Sequence, residues 1–83
     1  MNAATKKPLM PKVRSLGELR SLAKQDRRYR SLAIIAAENL GGDVKDDDLD
    51  GALRWLDLNA AEMSEKGVVD EVNFVRDLAE KQS

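Results

Sequence analysis

The run LAIIAA, residues 32–37, constrains this chain more than any other stretch. Six consecutive apolar residues leave a helix no polar side, yet the run is far short of the roughly 20 residues that cross a bilayer. A helix of that kind has to be surrounded by other elements. The rest of the chain can supply them. Leu16, Leu19, Leu22 and Ala23 fall on one helical face before it, and Leu49, Leu53, Leu56, Ala60 and Met63 form a seam after it. Val68, Val72, Val75, Leu78 and Ala79 make a last face, with Phe74 beside them. No segment alternates with period two between turn residues. The expected fold class is all-α, a compact bundle of three or four short helices.

The boundaries follow from capping chemistry. Ser15 with Glu18 three residues on is a capping-box pattern, so the first helix should start there. Its apolar face loses phase near Gln25, and Asp26 can cap a new helix, which predicts a bend at that point. The second helix should stop at Gly41-Gly42, because glycine tolerates the left-handed conformation that follows a helix end. The third is expected to begin among Asp46, Asp47 and Asp48, with Asp47 and Asp50 repeating the capping spacing, and to run to about Lys66 with Gly67 as its stop. The fourth should begin between Val68 and Asp70 and end near Lys81, whose charge suits the helix dipole.

Residues 1–14 hold both prolines and four cations without helical periodicity, so they read as a disordered basic arm before a single helical domain at 15–83. A core built from roughly 70 residues is usually worth only about 3 to 5 kcal/mol. The chain has no cysteine for a disulfide and no histidine for a common zinc site, so self-association into a homodimer is expected. The basic N-terminus is not followed by the apolar segment of a secretory signal, and a cytoplasmic protein away from the membrane is expected.

Net charge is only −1, but the charges are sorted along the chain. Residues 1–33 carry nine basic groups against two acidic ones, a balance of +7, and residues 34–83 carry five against thirteen, a balance of −8. Such sorting indicates either two separate partners or two halves that neutralise each other.

Three constellations could carry function. From Asp46 the chain reads DDDLDGALRWLD, with Asp46, Asp48 and Asp50 at positions one, three and five, glycine at six and Asp57 at twelve. This stretch resembles an EF-hand loop, and the resemblance implies oxygen ligands wrapped round a calcium ion. The short Asp57, a cation at Arg54, the helix break at Gly41-Gly42 and the lack of a second loop all depart from that pattern. Aspartates crowded before a helix also cap its free amides, and that reading is the stronger one, with no cofactor or metal expected.

Trp55 and Leu58 lie off the seam of the third helix, which suggests a second apolar surface for a protein partner or a dimer mate. The run KQDRRYRS sets Tyr29 among Arg27, Arg28 and Arg30. With Lys6, Lys7, Lys12 and Arg14 it would form a basic surface able to hold nucleic-acid phosphates. Asp43, Asp46, Asp47, Asp48 and Asp50 would form the opposing acidic surface, able to imitate nucleic acid if the acids of the last two helices continued it.

Enzymatic function is not expected, since histidine, cysteine and a phosphate-cradling glycine loop are all missing and the serines lack a general base in any recognisable pattern. The expected function is that of a small non-enzymatic interaction protein that binds another macromolecule and modulates it, of the kind a bacterium or phage uses as a regulator or inhibitor. A nucleic-acid-binding regulator is the alternative, and an acidic nucleic-acid mimic a further one.

Overall fold

Four helices and no strand make up residues 10–81, the part of the chain described in the computed structural model. Helix α1 spans Leu16–Gln25 and begins at Ser15, whose extended backbone lets its Oγ accept from the Glu18 amide at 3.0 Å. Glu18 reaches back to the Arg14 amide at 2.7 Å, so the expected capping box forms one residue wider than its usual version. Asp26 then serves two helices at once. Its amide closes α1 on the Leu22 carbonyl, and its carboxylate opens α2, Arg27–Asn39, by accepting from the Arg28 amide at 2.9 Å. That one extended residue resets the phase, which is why Tyr29, Leu32, Ala33, Ala36 and Ala37 all turn inward.

Helix α2 ends as expected. The Gly42 amide bonds to the Ala37 carbonyl and the Gly41 amide to that of Glu38, with Gly41 at φ +103°, a Schellman closure. Helix α3 spans Leu49–Glu62 and is capped by Asp48, whose Oδ1 accepts from the Gly51 amide at 3.0 Å. Asp47 sits just outside at φ +60° and takes no part in the cap.

The last boundary differs from expectation. Helix α3 stops at Met63, and Ser64 accepts from the Gly67 amide at 3.0 Å to open α4, Glu65–Lys81. Gly67 is therefore in the first turn of α4, not a stop, and α4 starts at least three residues early. The serine cap outweighs the glycine, because a first-turn glycine loses little when its amide is bound by a side chain.

The segment 10–14 also departs from the expected arm, while residues 1–9 lie outside the described part of the chain. Met10 and Val13 are buried. The backbone here runs as a strap along α4: the Asn73 side-chain amide accepts from the Val13 N–H and donates to the Val13 carbonyl, both at 2.9 Å. Glu80 accepts from the Met10 amide at 2.8 Å, and Arg76 donates to the Met10 carbonyl at 2.6 Å. Tyr29 pins the strap from α2 by donating to the Pro11 carbonyl at 2.6 Å. Beneath it Leu19, Leu56, Val68 and Val72 join the α2 apolar run in one core. LAIIAA is accordingly central, except for its outer edge at Ile35.

Candidate interaction surface

The residues singled out by sequence divide into those used inside the fold and those left outside. Tyr29 belongs to the first group, and its assignment to a basic surface is corrected. It is 2% exposed, and burial pushes its phenol pKa up. Arg28 is bound to Asp26 through Nε and Nη2, and this partner holds the Asp26 carboxyl below its usual range. Arg30 spans to Asp47 at 2.8 Å. Lys12, Arg14 and Arg27 are exposed, and Lys6 and Lys7 lie outside the described residues. The basic run is thus broken up by a partner within it, Asp26, and by Asp47 from the acidic half.

The aspartates are dispersed in the same way. Asp48 caps α3, Asp47 pairs with Arg30, and Asp57, well inside α3, pairs with Arg20 of α1. Asp46 and Asp43 are exposed in the connecting loop, and Asp50 lies in the first turn of α3. Among the described residues no three carboxylates come close enough to hold a metal ion. The twelve-residue stretch is a capped helix start, with Gly51 and Asp57 as helix residues. The acids of α3 and α4 do not continue a single face either. Asp57 turns to α1, Glu65 accepts from the Leu16 amide, Glu71 from Asn39 on α2, and Glu80 from the strap.

Trp55 is packed in part against the fold. Its ring lies on the backbone of Gly42, where an added Cβ would stand 2.8 Å from Cδ2 and 3.0 Å from the Ala37 carbonyl oxygen. Half-buried against the core, it staples α3 to the end of α2. Leu58 points away from the core and is 63% exposed. The two differ in exposure although they are three residues apart on α3, one packed on the core edge and the other open.

A different apolar surface does form. Phe74, the one phenylalanine of the chain, is 55% exposed, and Leu78 and Ile35 are each 42% exposed. On α4, Gly67, Phe74 and Leu78 fall within a sector of about 40° at 100° per residue, to one side of the face that buries Val68, Val72 and Val75. Met63 extends this stripe, its Cε 3.9 Å from where a Gly67 Cβ would lie. Both Met63 and Leu78 were expected on buried seams and are exposed instead. Met63 lost its place because the helix ends there. Leu78 lost its place because α4 turns Val75 and Ala79 inward.

Ile35 is a further exposed apolar residue, on α2. Helices α2 and α4 are joined near the end of α2, where the Asn39 side-chain amide donates to Glu71 at 3.1 Å. Ile35 lies one turn before Asn39 on α2 and is 42% exposed. Phe74 and Leu78, with Met63 before them and Ile35 exposed on the α2 helix that packs against α4, make up an α2/α4 band. Charged neighbours on the same two helices are Glu38, Asp70, Glu71, Asp77 and Lys81.

The other depression of note is an open groove between α1 and α3, lined by Arg20, Lys24, Asp50, Leu53, Arg54 and Asp57. Its cations and carboxylates nearly cancel, and the Arg20–Asp57 pair spans it. No family model, curated protein or solved structure was found to match this chain.

Proposed function

We propose that this protein is a small non-enzymatic interaction module that binds a macromolecular partner through the α2/α4 band and thereby modulates it. One observation carries the reading: Phe74 and Leu78 stand exposed on one face of α4, with Met63 exposed at the turn before it and Ile35 exposed on the neighbouring α2. Scattered apolar side chains on a surface need no explanation, but large ones sharing a helix face and flanked by charge have the anatomy of an interface. The polar groups elsewhere support the same conclusion. Carboxylates of the kind an enzyme would use are spent on caps and on ion pairs between elements.

The sequence points to a partner surface at Trp55 and Leu58; the proposal moves it to the exposed face of α4. A nucleic-acid reading has less to rest on, since Tyr29 is buried and Arg28 and Arg30 already hold carboxylates.

The test is affinity capture from the native cell with the full chain and with a Phe74→Ser, Leu78→Ser double variant. A partner retained by the first and lost by the second, at unchanged melting temperature, supports the reading. Retention of the same proteins by both variants overturns it, as does a partner lost only on Leu58→Ser.

A further inference from the structure

The strap at residues 10–13 is held through its main chain more than through its side chains. Asn73, Arg76 and Glu80 follow one another on α4 at spacings of three and four, so they form one row along its edge. The seven helical steps from Asn73 to Glu80 rise about 10 Å, the length of three extended residues. Glu80 accepts from the Met10 amide at one end of the row and Arg76 donates to the Met10 carbonyl. At the other end the Asn73 side-chain amide accepts from the Val13 N–H and donates to the Val13 carbonyl. The strap thus runs antiparallel to α4 in matched step. From the α2 side Tyr29 donates to the carbonyl of Pro11, a residue that has no N–H to place.

The side chains divide just as regularly. Met10 and Val13 are buried, and Pro11 and Lys12 face solvent. In a groove of this kind main-chain bonds supply affinity, and the pockets under alternate side chains supply selectivity. The groove is therefore complementary to an extended segment that reads apolar, proline, any residue, apolar. Its resident segment fits incompletely at one point. Arg76 Nε is buried with no acceptor among the described residues, although both terminal nitrogens of that guanidinium are engaged. A buried donor without a partner costs stability, so a segment that brings an acceptor to it gains over the strap.

We propose that this groove is a docking site for an extended segment of a partner protein with the pattern apolar-Pro-x-apolar, and that residues 10–13 are its resident occupant, displaced when the partner binds. The site lies apart from the exposed face of α4 and does not depend on the reading of that face. A tethered occupant competes at an effective concentration of about millimolar, so the strap sets the threshold that a partner segment has to exceed.

The probe is a labelled peptide of residues 10–15, MPKVRS, acetylated and amidated at its ends and read by fluorescence anisotropy with the full chain. The parent should bind it weakly. Met10→Ser with Val13→Ser, whose strap has lost its two apolar anchors, should bind it at least about tenfold more tightly. A methyl group on the peptide nitrogen that corresponds to Val13 should cost at least about tenfold, as should Asn73→Ala added to the double variant. Circular dichroism of the double variant is recorded with and without peptide. Should that variant be unfolded alone, recovery of its helical signal on adding peptide supports the proposal, and failure to recover it overturns the proposal. Displacement is read with a dye on Lys12→Cys, since Lys12 is exposed and the chain has no cysteine of its own. Excess peptide should lower the anisotropy of that dye as the strap is released.

No binding by a folded double variant overturns the proposal. So does equal binding by parent and double variant, equal binding of the methylated and plain peptides, or saturation with no change at the Lys12 position. Self-association by analytical ultracentrifugation that Asn73→Ala abolishes also overturns it, with the strap of a second copy as the occupant.

Discussion

Helix α4 has two long edges beside its core face, and they are treated in opposite ways. One is covered by the chain's own strap, and its side chains are polar: Asn73, Arg76 and Glu80 each hold a backbone group of Met10 or Val13. The other is open, and its side chains are apolar: Phe74 and Leu78. Hydrophobicity alone would assign the edges the other way round. The reason is that an extended strap brings unpaired amides and carbonyls with it, and these must be bonded when they are covered. A polar edge is what a backbone segment needs, and an apolar edge suits a side-chain surface.

The contrast can be broken most severely at Tyr29, which lies under the strap and fastens it. Tyr29→Ala should remove about 3 to 5 kcal/mol, comparable with the whole stability of a domain this small, and leave the chain largely unfolded by circular dichroism. Tyr29→Phe keeps the ring and loses only the bond to Pro11, worth about 1 kcal/mol. Its signature should be local, with faster hydrogen exchange at the Val13 amide. The buried phenol also predicts an alkaline effect. Its folded pKa is raised, so its contribution is complete below the unfolded value near 10 and is lost as pH rises through the folded one. Tyr29→Phe should lack that part of the alkaline unfolding.

Neighbouring residues on the two edges give the next comparison. Asn73→Ala leaves the Val13 amide and carbonyl without their partner and should cost about 1 to 3 kcal/mol in urea unfolding. Phe74→Ser, one residue on, should change monomer stability by no more than about 0.5 kcal/mol. Equal costs at the two positions would show that the strap is not fastened by Asn73, or that the open edge is covered.

Gly42 offers an effect of similar size at a second covered place. Gly42→Ala would push a Cβ to within 2.8 Å of the Trp55 ring and 3.0 Å of the Ala37 carbonyl, with backbone on one side and a packed ring on the other. Overpacking of this kind costs about 1 to 3 kcal/mol. Displacement of the ring should shift Trp55 emission to longer wavelength, and unchanged emission would place the ring elsewhere.

Sequence made the fold legible wherever a single local rule decided the outcome. Ser15, Asp26, Gly41 and Asp48 each terminate or start a helix by bonding within a few residues, so the elements up to the start of α3 follow from short-range chemistry. The turn at Met63 and Ser64 was equally local, but Gly67 was the louder signal there and concealed the serine cap.

The strap was not legible, because its fasteners lie 60 to 70 residues away on α4 and nothing in MPKVR announces an acceptor at Asn73. Met10 and Val13, two apolar residues in an otherwise basic stretch, were the one available hint. The interaction band was missed for a related reason. Helical spacing shows which residues share a face, but whether Leu78 or Trp55 is covered depends on how far each helix rotates toward its neighbour. Trp55 found Gly42 across the bundle, and Leu78 found no such cover.

The smallest expected effect concerns Asp26, where short-range chemistry joins two helices. Its carboxylate accepts from the Arg28 amide and carries the Arg28 guanidinium, so its folded pKa is lowered, first by the side-chain bond and then by the backbone one. A lowered folded value means that the contribution is complete above the unfolded carboxylate pKa, near 3.8, and is lost as pH falls through the folded one. Asp26→Asn keeps an acceptor for the cap and removes the charge. At neutral pH the variant should therefore be less stable than the parent, by less than the typical 1 kcal/mol or so of a lost cap. In urea unfolding at low pH, once the parent carboxyl is protonated, the gap should close. Persistence of the same gap there would mean that Asp26 acts through geometry alone, and that its charge contributes nothing to the joint between α1 and α2.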